Sequence, residues 1–169
     1  MLKVFQLRGA RYILGIGVRE IGGYLNLSRT KISNIENQDI DHNLNITSEQ
    51  NDLLLRLFND KGIEFPDSSR MRLKNQSDLH DNSISRFQLR GGRTILGLSQ
   101  KTLADALNLK KSDLYYLENL ENSFLITDNA KSADANSIEL FFRHKGIYLY
   151  NNYIISINPL DSSCPDTVG

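Results

Sequence analysis

The string FQLRGARYILG, beginning at Phe5, returns as FQLRGGRTILG, beginning at Phe87. A chain that repeats itself this closely carries two copies of one small unit, and each copy tests the reading of the other. Both continue in the same order. A short helical stretch leads to Asn26-Leu27 or Asn108-Leu109, a second ends at Glu36-Asn37 or Glu118-Asn119, and a Lys-Gly-Ile comes next at Lys61 to Ile63 or Lys145 to Ile147. The 169 residues therefore divide into a first domain at 1–75, a polar linker at 76–84, a second domain at 85–158 and a loose tail at 159–169. Units of roughly 70 residues lie near the lower size limit for independent folding, so the two copies are expected to share a core.

Within copy one, Leu7, Ala10 and Leu14 recur at helical spacing, as do Val18, Ile21 and Leu25, then Ile32 and Ile35. Copy two answers with Leu89, Gly92 and Leu96, then Leu103 and Leu107, then Leu114 and Leu117. Each copy is thus expected to hold three short helices. Only Leu-Asn-Leu-Ser or Leu-Asn-Leu-Lys separates the second helix from the third. That is room for a tight turn alone, and Asn26 and Asn108 suit its left-handed residue. Ser28 is the expected N-cap of the third helix. Gly22 and Ala104 keep the second helix small on the side that must approach the third closely.

A fourth helix opens at Thr47, with Gln50 at capping-box spacing, and runs through Leu54, Leu57 and Phe58 to a stop at Gly62. Ile138, Phe141, Phe142 and Gly146 repeat it. After each glycine the pattern becomes strand: Ile63 to Phe65 and Met71 to Leu73, then Ile147 to Tyr150 and Tyr153 to Ile157, with Asn151 and Asn152 as a two-residue turn. The expected class is mainly α with short β-hairpins. A lone hairpin is marginal in water, so the two hairpins are expected to pair into one antiparallel sheet that covers each other's open edge.

Lys and Arg together number 20, as do Asp and Glu, so the chain is no general polyanion binder. The first half, through Asn75, holds a small basic excess and the second a matching acidic one. No run of roughly 18 apolar residues could span a membrane. Cys164 stands alone in a polar tail, which excludes a disulfide framework and favours a cytoplasmic setting. His80, His144 and the scattered carboxylates lack metal-ligand spacing. Gly15, Gly17, Gly22 and Gly23 follow no strand and precede no Lys-Ser/Thr, so they form no phosphate loop. With no recognisable nucleophile beside a base, neither a catalytic residue nor a cofactor is expected, and the chain reads as a non-enzyme.

The string Gly97-Leu98-Ser99-Gln100, with Leu103-Ala104, Leu107, Leu109, Leu114 and Leu117-Glu118-Asn119, resembles the lambda-repressor-like (Cro/C1-type, or XRE) helix-turn-helix DNA-binding proteins. Copy one keeps Ile21, Leu25, Leu27, Ser28, Ile32, Ile35, Glu36 and Asn37 but has Gly17-Val18 where that family has Ser-Gln. The resemblance implies two tandem helix-turn-helix domains, each of about four helices and a hairpin. It also implies that each third helix enters the major groove of double-stranded DNA.

Carried over residue by residue, the resemblance makes Arg29, Thr30 and Asn34 the base-facing positions of copy one, flanked by Lys31 and Ser33. Their chemistry suits guanine, thymine and adenine edges. In copy two the positions are Lys111, Ser112 and Tyr116, with Lys110, Asp113 and Tyr115 alongside, and Gln100 is implied to bond a phosphate. Asp113 opposes the backbone charge unless it meets a cytosine amino group. Arg8, Arg11, Arg90 and Arg93 repeat on the first helices, and the plainer reading, bridging to Glu36 and Glu118, is preferred to phosphate contact.

Together these features describe a nucleoid-associated bacterial or phage regulator of transcription, a fused pseudo-dimer reading an imperfect inverted repeat. The alternative is a protein-interaction module, an antiactivator or an antitoxin, that presents Tyr115, Tyr116 or the hairpins to a protein partner. A second arrangement, in which the strands join two chains into a homodimer, would bury the same strand residues.

Overall fold

The computed structural model describes residues 1–76, 83–126 and 134–159. Most of the expected linker, His80 within it, and the tail beyond Pro159 with Cys164 lie outside them. Among the described residues the chain is mixed α/β, with eight helices and two small antiparallel sheets. Copy one supplies α1 (Val4–Leu14), α2 (Val18–Leu25), α3 (Arg29–Glu36), α4 (Ser48–Asp60), β1 (Ile63–Glu64) and β2 (Arg70–Leu73). Copy two supplies β3 (Ile84–Ser85), α5 (Arg86–Ile95), α6 (Gln100–Ala106), α7 (Lys111–Glu118), β4 (Leu125–Ile126), α8 (Ala135–His144), β5 (Tyr148–Tyr150) and β6 (Ile154–Ser156).

Local chemistry sets the helix ends. Asn26 and Asn108 take φ of 55° and 54°, the left-handed conformation that short polar side chains tolerate. The chain then reverses, and Leu27 N and Leu109 N donate back to Gly22 O and Ala104 O, both at 2.8 Å. A Cβ on Gly22 would lie 2.6 Å from Leu27 O, so the small residue serves the turn's carbonyl, with the start of α3 further away. Thr47 and Gln50 close their capping box at 3.0 and 3.2 Å. Gly62 and Gly146 follow their helices at φ of 85° and 77°.

Three expectations need correction. Ile84, placed in the linker, is a strand residue that pairs with Ile126, and Ser85 pairs with Leu125. Copy one has the same feature in reduced form, a single bridge between Lys3 and Asn43, 82 residues earlier on both sides. The hairpin of copy two is closed by three residues: Tyr150 pairs with Ile154, so Tyr153 joins left-handed Asn151 and Asn152 in the turn. The strands are also shorter at their ends than the apolar pattern, which leaves Phe65, Ile147 and Ile157 outside the ladders.

The two hairpins form one sheet in the order β1-β2-β6-β5. At the join, Met71 pairs with Ile155, Arg70 with Ser156 and Arg72 with Ile154. With the two Lys-Gly-Ile strings aligned, Met71 and Ile155 are counterparts. Arg70 faces the counterpart of Arg72, and Arg72 that of Arg70. Such reciprocity is the mark of an isologous, two-fold contact, here made within one chain.

The crossing of α1 and α5 obeys the same relation. A Cβ on Gly9 would sit 3.0 Å from Ile95 Cγ1 and from Met71 Sδ, and one on Gly91 2.9 Å from Ile13 Cδ1 and against Ile155 Cδ1. Glycine at the matched positions of the repeat therefore admits the other copy's isoleucine. The first helices meet where the sheet joins, and one apolar core runs through both copies, from Leu2, Phe5 and Phe58 to Phe87, Phe142 and Ile155.

The repeated glutamine has a role that spacing did not disclose. Gln6 Nε2 donates to Asp67 O and Arg70 O at 2.8 and 3.0 Å, and Gln88 Nε2 to Tyr150 O and Ile154 O, both at 3.0 Å. Each buried amide thus clamps its own hairpin to its own first helix.

Candidate nucleic-acid interface

The outward face of α3 is set by the residues its inward face buries. Ile32 and Ile35 are in the core. At 100° per residue that leaves Arg29, Thr30 and Asn34 exposed, with Lys31 and Ser33 half-buried on the flanks. Ser28 Oγ accepts from Lys31 N at 3.1 Å and caps the helix, and no acidic residue stands in the first turn. The free N–H groups of that turn and two cationic side chains make this end of α3 attractive to an anion.

On α7, Leu114 and Leu117 are buried, while Lys110, Lys111 and Ser112 are exposed. Lys110 occupies the N-cap without a side-chain capping bond, and Asp113 stands half-buried in the first turn. Tyr115 and Tyr116 are 59% and 65% exposed, the most open aromatic side chains among the described residues. The two third helices thus present different chemistry. One face is short, polar and cationic, while the other adds two large rings and a carboxylate.

Gln100, implied to bond a phosphate, is half-buried at the start of α6. Its Nε2 donates to Glu118 Oε2 at 2.8 Å, which ties the start of α6 to the end of α7. Val18, its counterpart, packs against the core.

Behind each third helix stands a buried ion pair. Arg11 Nε and Nη2 donate to the two oxygens of Glu36 at 2.7 and 2.8 Å, and Arg11 Nη1 to Ile16 O at 2.9 Å. Arg93 does the same with Glu118 and with Leu98 O at 2.6 Å. The preferred reading of these arginines holds: Arg11 and Arg93 fasten the ends of α3 and α7 to the first helices through planar two-bond contacts. Burial alone would lower the Arg11 guanidinium, and Glu36 and then Tyr12 together more than reverse it.

Arg8 and Arg90 do something different. Arg8 donates to Ile95 O across the seam at 2.8 Å and to Glu36 O. Arg90 donates to Glu118 O at 3.3 Å. Arg86, where copy one has Val4, is buried and donates to Glu118 O at 2.8 Å, to Ile13 O across the seam at 3.1 Å and to Asn122. Burial first, and then Arg90, draws the Arg86 guanidinium down to about 10, which still leaves it charged at neutral pH.

Among the described residues no three or more His, Cys, Asp or Glu come together as a metal site, and no helix is long and apolar enough to cross a membrane. No protein-family model, curated protein or solved structure matches the chain.

Proposed function

We propose that the chain is a sequence-specific DNA-binding regulator of transcription, a non-enzyme built from two lambda-repressor-like helix-turn-helix units fused head to head. The observation that carries this reading is the exposed Arg29-Thr30-Asn34 face on a capped helix. A buried Arg–Glu pair holds the far end of that helix. The reciprocal pairing at Met71 and Ile155 supports a pseudo-dimer. Because α3 and α7 carry different side chains, the site on DNA is an inverted repeat whose halves differ. Copy one supplies most of the sequence preference, through Arg29 to guanine and Asn34 to adenine. Lys110 and Lys111 of copy two contribute phosphate contacts.

Two measurements test this. Selection of duplexes from a random pool should yield one site with two unequal half-sites. Arg29→Ala should weaken binding to it by about 1 to 3 kcal/mol and relax one base position. Unchanged affinity in a folded Arg29→Ala variant would remove α3 as the reading helix. The second measurement is salt dependence: log affinity should fall linearly with log salt, by about 0.9 for each phosphate neutralised. A flat salt profile is incompatible with a backbone-gripping protein.

One observation favours a second reading. Tyr115 and Tyr116 lie side by side in the open, and exposed paired aromatics suit a protein contact better than a phosphate track. On that reading α7 docks an antiactivator's or antitoxin's partner. Failure to select any duplex at low salt, with a partner recovered through Tyr115 and Tyr116, would establish it.

A further inference from the structure

The seam between the copies contains more positive charge than it can neutralise. Glu36 serves Arg11 and also lies near Arg8, while Glu118 serves Arg93 and lies near Arg86 and Arg90. Five guanidinium groups therefore share two carboxylates. Three of the five, Arg8, Arg86 and Arg90, are held by backbone carbonyls, which neutralise no charge.

A cleft of about 250 Å³ opens at the edge of this cluster, where Arg8 and Arg93 alone of the five reach it; Tyr12 and Asn37 from copy one and Thr94 and Gly97 from copy two line it with them, and Glu36 and Leu98 complete its wall. That is ample room for one small polyatomic group. Glu36 also lines the cleft, but Arg11 holds both its oxygens and offsets its charge, so that pair is neutral as a whole and the Arg8 charge is left over. Arg8 spends two of its five N–H donors on carbonyls and has three to offer. A half-buried, incompletely neutralised guanidinium facing a polar cleft is the environment in which a charge-assisted bond to an oxyanion is strongest.

The geometry points to this seam cleft as a binding site for a phosphate-type oxyanion, with Arg8 as its principal donor. Both copies line the site, so its occupant touches the first helices to which α3 and α7 are fastened. An effect on DNA binding rests on the function proposed above, whereas the anion site itself does not.

The test is a titration of the full chain with inorganic phosphate at constant ionic strength, following backbone amide shifts. Saturable shifts are expected at Asn37, Gly97 and Leu98. Arg8→Gln should weaken them about tenfold, the loss of one charge-assisted bond. Asn37→Ala, at an exposed position, provides a milder variant if Arg8→Gln does not fold, and should also weaken phosphate. Arg29→Ala should leave the phosphate titration unchanged while weakening DNA binding, which separates failure of the anion site from failure of the reading helix. Competition between phosphate and a selected duplex would identify the anion as a DNA backbone phosphate, and simultaneous binding would identify it as a small molecule. Absence of saturable shifts at these amides, or shifts spread evenly over surface lysines, overturns the site.

Discussion

Glu118→Ala should be among the most destabilising single substitutions in this chain, costing about 3 to 5 kcal/mol, the range for removing one partner of a buried pair. Glu118 is 1% exposed, binds Arg93 through both oxygens and accepts from Gln100. Its loss leaves Arg93, Arg86 and Arg90 crowded together without a carboxylate. Glu36→Ala should be less damaging, because only Arg11 and Arg8 depend on Glu36 and its side chain is more exposed than that of Glu118. Against a typical total stability of about 5 to 15 kcal/mol, the Glu118 variant stands close to unfolding at 37 °C. Urea denaturation of both variants reads the difference. Equal losses would mean that the clustering of guanidiniums behind Glu118 carries no energetic weight. The double replacement Arg11→Met with Glu36→Leu should be milder than Glu36→Leu alone, since apolar groups of similar volume leave no orphaned charge on Arg11.

Much of this architecture was legible because the sequence states it twice. Ile21 with Leu103, Ile32 with Leu114, and Asn26 with Asn108 made helix periodicity and turn chemistry agree at matched positions, and the structure puts those residues in the core or at positive φ as expected. Sharing of the hairpins was foreseeable from a general cost, the open edge of a two-stranded ribbon. The features that escaped notice had no local signature. A two-residue strand such as β3 shows no alternation, and its partner β4 lies some forty residues further on. The clamps made by Gln6 and Gln88 join positions more than sixty residues apart. Arg86 replaces the Val4 of copy one at a buried site, where periodicity alone would assign an apolar residue. The bond from Gln100 to Glu118 likewise joins two helices and has no mark in the local pattern. The face of α3, by contrast, was legible: two buried isoleucines fix which side of an eight-residue helix remains outside.

Met71→Lys should unfold the whole molecule rather than half of it. Met71 is fully buried, it meets Ile155 at the centre of the shared sheet, and its sulfur stands against Gly9 where α1 crosses α5. An ammonium group there has no carboxylate partner within the apolar core and loses the contacts of a large side chain, a cost of about 3 kcal/mol or more. Ile155→Lys, at the counterpart position, should do the same by a similar amount, since it meets Met71 and Gly91. Because one core runs through both copies, calorimetry of the unmodified chain should show a single transition, and each variant should lower it without splitting it. The alternative is two independent domains on a linker. That arrangement would give two transitions, with Met71→Lys lowering only the one belonging to copy one. Under the DNA-binding function proposed above, a single shared transition has a consequence: α3 and α7 would keep one fixed spacing, so inserting half a helical turn of DNA, about five base pairs, between the half-sites should abolish simultaneous binding. Tolerance of that insertion, together with split melting, would refute the fused pseudo-dimer.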